Sequence, residues 1–183
     1  MKFTTTEIAG LVCIEPEPYS DQRGQFYRTF EREEFLMHGF ELNFIQHNHA
    51  SNYSKGTWRG LHFQYPPYAE IKLIRCIRGS IWDVVVDLRK DSSTFLKWKS
   101  FELSAENKVM LLVPSGMAHG YITLENQSEL IYLHTSTYQP NSEGGIRYDD
   151  PLLKLQLPIP IEVVSDRDRS YSFLETDYKG LEL

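Results

Sequence analysis

The stretch "SIWDVVVDLRKDS" constrains the fold more than any other part of the chain. Within it Trp82, Val84, Val86 and Leu88 alternate with Ile81, Asp83, Val85 and Asp87. A period of two sends successive side chains to opposite faces of a strand, whereas a helix repeats every 3.6 residues. The run follows at once on "KLIRCIRG", a β-branched stretch closed by Gly79. Further along, "KVMLLVPSG" is apolar and ends in a Pro-x-Gly turn, and "HGYITLEN" and "SELIYLHTSTY" flank the turn-like Asn126–Gln127. Short strands at about ten-residue spacing predict a β-sandwich or barrel rather than a βαβ fold. Eleven Tyr and ten Phe agree with that, since aromatic rings favour pleated, half-buried surfaces. The best helix candidate is "TFEREEFLMHGF", with Thr29 as its cap, acids in its first turns and Gly39 as its stop.

A chain of 183 residues predicts one domain able to bury its own core. Cys13 and Cys76 are far apart in sequence and form no CxxC pair, which fits a reducing compartment. No apolar run approaches the roughly 20 residues of a membrane span, and the first residues lack a basic-then-apolar leader pattern. A cytoplasmic protein with no membrane attachment is expected. The net charge of −6 argues against general nucleic-acid binding, which rests on neutralising phosphates. It leaves room for a small anionic ligand held by local arginines.

The residues able to do chemistry begin with "WRGLHFQ", residues 58–64. His62 and His119 both occupy turn-bounded strand starts. The spacing Pro114-x-Gly116-x-x-His119, followed by Asn126, resembles the second motif of the cupin superfamily. Metal-binding cupins also use HxH and a glutamate in the first motif. Here that motif reads His62-Phe63-Gln64, and only Glu70 could stand in for the acid. A transition metal wants three or four ligands, so no metal is expected. A lone strand histidine is more often satisfied by one backbone partner than catalytic. With Lys72, Tyr132 and a carboxylate from the tail, His62 becomes part of a recognisable proton-transfer set. Arg59 and His62 are three apart, so a regular strand would point them to opposite faces, and Gly60 is the place for a bulge that re-aims one. The tail "VVSDRDRSYSFLE" reads on composition either as a solvated end or as a segment that packs back.

Several ordered segments carry a family resemblance: "QHNHASNYSKGTWRGLHFQYPPYAEIKLIRCIRGSIWDVVVDLR", "LSAENKVMLLVPSGMAHGY", "ELIYLHTSTYQP", "GGIRYDDP" and "VSDRDR". From about Ile14 to Arg169 the chain resembles the dTDP-4-dehydrorhamnose 3,5-epimerases. That resemblance implies an all-β, cupin-type jelly-roll barrel with short peripheral helices, a homodimer, and neither metal nor cofactor. It divides the single domain into N-terminal strands (1–45), a core barrel (46–150) and a C-terminal segment (151–183) that packs on the barrel. His62 resembles the general base and Asp168 its partner. Lys72 resembles the cation facing the enolate oxygen, Tyr132 the proton donor on the opposite face, and His119 a residue close to the sugar. Arg23, Gln46, Asn48, Arg59, Glu143 and Arg167 fall where the family contacts nucleotide, diphosphate or sugar. Phe26 and Tyr138 resemble aromatic residues near the base, and Arg28 lies in the same nucleotide region.

The chemistry explains these residue types independently. In a 4-keto-6-deoxyhexose the C4 ketone acidifies the hydrogens on C3 and C5. Removing one calls for a base near neutral pKa, which histidine supplies. A carboxylate on the far ring nitrogen fixes the tautomer and steadies the imidazolium. Charge growing on O4 calls for a placed cation, and inversion requires an acid on the other face. Arginines grip a diphosphate bidentately.

The chain also departs from the family pattern. Leu133 follows the tyrosine where a Lys is common, Arg28 stands where many members carry an acid, Glu70 lies in a segment where Gln is common, and Arg167 replaces Lys. These changes leave open whether the nucleotide is dTDP or CDP. Leu133 and His134 beside Tyr132 predict reliable inversion at C3, with C5 slower or absent. The resemblance places the reaction in deoxysugar biosynthesis for surface polysaccharide such as O-antigen. Two rivals remain: a cupin that moves the ketone between C3 and C4 on the same substrates, and a non-catalytic sugar-nucleotide binder. The first is disfavoured by "RGLH…K" with "VSDRD", the second because binding alone would not require His62, Asp168, Lys72 and Tyr132 together.

Overall fold

The computed structural model describes residues 1–183. In chain order the N-terminal part runs β1 (Lys2–Thr5), β2 (Val12–Glu15), β3 (Tyr19–Asp21), β4 (Gly24–Phe26) and α1 (Arg32–Met37). The central part runs β5 (Gln46–Ser51), β6 (Thr57–Gln64), β7 (Lys72–Arg78), β8 (Ser80–Asp87), β9 (Trp98–Ser104), β10 (Met110–Val113), β11 (Met117–Thr123) and β12 (Glu129–His134). β13 (Glu143–Gly145), β14 (Val163–Val164) and α2 (Asp166–Ser170) follow. One sheet is ordered β1-β2-β10-β7-β12-β5, the other β13-β6-β11-β8-β9 with β14 added to β6.

The two sheets face each other across one core. Ile74 and Cys76 from β7, Leu111 and Val113 from β10 and Leu130 from β12 pack against Ile81 and Val85 from β8, Leu103 from β9 and Tyr121 from β11. This is the all-β jelly-roll barrel that the strand spacing and the resemblance imply. The alternation in β8 is explained by cover on both faces. Ile81 and Val85 point between the sheets, while Val84, Val86 and Leu88 meet Ile146, Leu153 and Leu181 from the C-terminal part. Each such aliphatic side chain contributes about 1.5–3 kcal/mol on burial. The two acids of the inward row have partners: Asp83 meets His119, and Asp87 accepts from Arg89, Ser92 and Thr94.

The helix over Arg32–Met37 is shorter than the sequence predicts, and Thr29 does not cap it. Glu31 does, its carboxylate accepting from the N–H groups of Glu33 and Glu34. The reason is apolar: Phe30, just before the cap, packs at a tilt on Phe35 at 4.9 Å and edge-on to Phe44 at 5.0 Å. That staple fixes the entry of the chain two residues later than Thr29 would. Gly39 ends the helix as expected, at φ +86°.

The tail packs back. β14 pairs in parallel with β6, Val163 against Thr57 and Val164 against Trp58. Ser165 then caps α2 by accepting from the Asp168 N–H, and Asp168 is 2% exposed. On β6 the expected irregularity is present. His62 pairs with His119 and Arg59 with Tyr121, so three steps on β6 oppose two on β11. Gly60, at φ +131°, lies inside that bulge, and a Cβ there would sit 2.5 Å from the Gly120 Cα. The extra residue lets Arg59 and His62 line the same cavity.

Candidate active site

A cavity of about 1070 Å³ opens between the sheets, lined by residues of β5, β6, β7, β11, β12 and the α2 region. On the β6 wall, His62 Nε2 lies 2.8 Å from Asp168 Oδ1. The other Asp168 oxygen accepts the Gly60 N–H at 3.1 Å. Burial pushes the Asp168 carboxyl up, but the hydrogen bonds from His62 and Gly60 outweigh it and hold the group below the usual carboxylate range. Asp168 therefore stays ionised, able to orient the ring and steady an imidazolium.

The facing wall comes from β7 and β12. Lys72 Nζ sits 3.3 Å from Glu70 Oε1 and 3.5 Å from the His62 carbonyl oxygen. Tyr132, two residues from His134 on the same strand face, has its ring 6.0 Å from that of His119. Burial raises the Tyr132 phenol well above its ordinary value, so it holds its proton until a strongly basic centre forms beside it. Leu133 turns to the other side of β12 and packs in the apolar cluster under α1. The Leu133 side chain is therefore absent from the cavity.

Most residues singled out by resemblance gather here. His62, Asp168, Lys72, Tyr132, His119, Asn48, Arg59, Tyr138, Glu143 and Arg167 all line the cavity. Arg59 donates to Asn52 Oδ1 at 2.9 Å, and Glu143 accepts from both Tyr138 and Arg167 at 2.8 Å. Gln46 lies at the rim, accepting the Tyr138 N–H at 2.9 Å and donating to Asn48 at 3.2 Å. Arg23, Phe26 and Arg28 do not reach the cavity of their own chain. Arg23 and Phe26 belong to the β3–β4 ribbon, where Arg23 pairs with Asp21 at 2.6 Å and Phe26 is 75% exposed; Arg28 is exposed just beyond it.

Two pairings at the cavity escaped the sequence reading. Asp83 meets His119 Nε2 at 2.7 Å in a second histidine–carboxylate pair, both partners buried, with Asp83 Oδ1 left unpartnered. A lone acid between Ile81 and Val85 in an inward row was the available signal, because a buried carboxylate needs a partner. Glu70 and His134 form a third pair at 2.8 Å. The three histidines do not converge on a common point of ligation: each is tied to its own carboxylate.

The family model for dTDP-4-dehydrorhamnose 3,5-epimerase matches residues 5–176. A dTDP-4-dehydrorhamnose 3,5-epimerase of Shigella flexneri is 39% identical over 180 residues, covering 97% of this chain and 99% of that one. The crystal structure of the Bacillus anthracis enzyme of that name, with TDP and PPi bound, superimposes with a TM-score of 0.92 at 37% identity, covering 94% of this chain and 99% of that chain. A dTDP-6-deoxy-D-glucose-3,5-epimerase from Legionella pneumophila, in complex with dTDP-4-keto-L-rhamnose, gives 0.91 at 33% identity, covering 100% and 98%.

Proposed function

Since the chain belongs to the dTDP-4-dehydrorhamnose 3,5-epimerase family, isomerases of nucleotide-linked 4-keto-6-deoxyhexoses, we propose that it acts on a dTDP-linked sugar with His62 as base. The observation that carries this reading is the His62–Asp168 pair at 2.8 Å on one wall, with Lys72 and Tyr132 on the wall opposite. His62, oriented by ionised Asp168, takes the hydrogen from C3 as a proton, and the electron pair moves into the enolate. The charge arriving on O4 meets the Lys72 ammonium. Tyr132 delivers its proton to the other face of C3, and the ketone re-forms with that centre inverted. After His62 returns its proton to solvent and Tyr132 regains one from it, turning the ring presents C5 to the same base and acid.

C3 leads and C5 follows more slowly. Tyr132 serves as the acid for both carbons, and its ring stacks on that of His134 at 6.0 Å, which supports a restricted tilt toward the second carbon. Arg59 and Arg167 lie at the cavity where a diphosphate would need gripping, and the relatives solved with TDP or a dTDP-sugar favour dTDP over CDP. The enzyme works as a homodimer in deoxysugar biosynthesis, with the β3–β4 ribbon reaching the partner's cavity.

The test is incubation with dTDP-4-keto-6-deoxyglucose in D₂O, with the CDP sugar in parallel. Deuterium should appear first at C3 and then at C5, faster from the dTDP sugar. No deuterium at C3 would overturn the reading, and a product with its ketone at C3 would favour a ketoisomerase.

A further inference from the structure

The cavity wall from β7 and β12 carries a hydrogen-bonded pair, His134 and Glu70, whose link to each other the reaction above leaves without a task. His134 Nδ1 lies 2.8 Å from Glu70 Oε2, and His134 Nε2 lies 3.2 Å from Asn48 Nδ2. The Asn48 amide can only donate to Nε2, so Nδ1 carries the proton and donates to Glu70. Burial pushes the Glu70 carboxyl up, but the His134 hydrogen bond and the Lys72 charge outweigh it, leaving the group below its usual value and ionised. The side chains of Glu70, His134 and Lys72 are each no more than 10% exposed.

The distances are unequal, and that inequality matters. Charge-assisted N–H···O bonds normally run to about 2.7–2.9 Å. The His134–Glu70 contact at 2.8 Å meets that, whereas Lys72 stands 3.3 Å from the same carboxylate. A buried carboxylate with no other partner would turn both oxygens on the ammonium. It would then neutralise the cation that an enolate oxygen needs.

We propose that His134 is a positioning residue for Lys72, its ring drawing the Glu70 carboxylate to itself so that the ammonium keeps a donor free for the substrate oxygen. This rests on the assignment of Lys72 to the C4 oxygen. A neutral amide at position 70 would need no such restraint. The requirement for His134 therefore depends on the charge at position 70.

That dependence supplies the test, read as C3 deuterium exchange on dTDP-4-keto-6-deoxyglucose across a range of substrate concentrations. His134→Ala should lower kcat about tenfold or more with KM within about threefold, since the loss falls on the transition state. Glu70→Gln alone should stay within about fivefold of wild type, and adding His134→Ala to it should cost no more than about twofold further. If His134→Ala does not fold, His134→Met fills the volume without a ring nitrogen and carries the same expectation. Wild-type kcat in the His134 variants, or a double variant no better than the His134 single, overturns the proposal. A wild-type protein that exchanges nothing at C3 overturns the reaction reading itself, and the pair's role falls with it.

Discussion

At the scale of single residues, four histidines of the cavity lining pair with carboxylates, the fourth being His49 with Glu129 at 3.0 Å on the edge strand β5, and the reaction needs one of them to be the base. His62–Asp168 is set apart by joining access to a buried anion: the His62 side chain is 25% exposed over an Asp168 at 3%, whereas His119 and His134 are at 6% and 9% and His49, at 53%, pairs with a Glu129 that is itself 23% exposed. Removing His62 should therefore lower C3 exchange by about 10²- to 10⁴-fold, the usual contribution of a placed acid or base. Asp168→Asn should be severe alone, because the ring loses its orienting anion. On the His62→Ala background it should cost little more, since members of one unit are not additive. Exchange that survives His62→Ala but disappears in His119→Ala would move the base to the second pair. At this scale the sequence was informative about which residue types gather, since His62, Lys72 and Tyr132 all line one cavity. Asp83 stayed hidden because its partner His119 is a diagonal neighbour on β11, two residues from the Tyr121 that pairs with it in register, and that adjacency is a property of the folded sheet.

At the scale of elements, β6 decides whether Arg59 and His62 can serve one cavity. Its bulge depends on Gly60, which combines φ +131° with the close approach of β11. A Cβ would lie 2.5 Å from the Gly120 Cα and 2.9 Å from the His119 carbonyl oxygen, both of them backbone atoms that cannot swing aside. Gly60→Ala should cost about 2 kcal/mol or more of stability by adding strain and forcing β6 from β11. It should also lower exchange activity in whatever protein stays folded, as Arg59 and His62 lose their shared aim. Unfolding in denaturant checks the first outcome and the exchange assay the second; a wild-type midpoint with wild-type activity would show that the bulge is not glycine-dependent. The odd spacing of Arg59 and His62 made this irregularity legible beforehand. The start of α1 was less so, because Thr29 is a good cap in isolation and loses to the packing of Phe30 on Phe35, a contact set by tertiary structure.

At the scale of the whole molecule, the β3–β4 ribbon is the part that one chain does not explain. All six of its strand residues are exposed, and it joins neither large sheet. A two-stranded ribbon is marginal alone in water, and this one presents Tyr19 and Phe26 at 67% and 75% exposure. Cover from a second copy satisfies both facts and would bring Arg23 to a cavity it cannot reach in its own chain. Composition could suggest a barrel but not this arrangement, because nothing in a local pattern says which surface meets a partner. Sedimentation at micromolar concentration should give a dimer, and a monomer would remove the basis for the arrangement. A sharper measurement mixes two weakened variants, Arg23→Ala and His62→Ala. If the ribbon serves the partner's cavity, the mixed dimer contains one site with a native His62 from one protomer and a native Arg23 from the other. Activity should then rise above that of either variant alone. If the ribbon serves its own cavity, every site in the mixture keeps a defect, and no gain on mixing would refute the exchange between subunits.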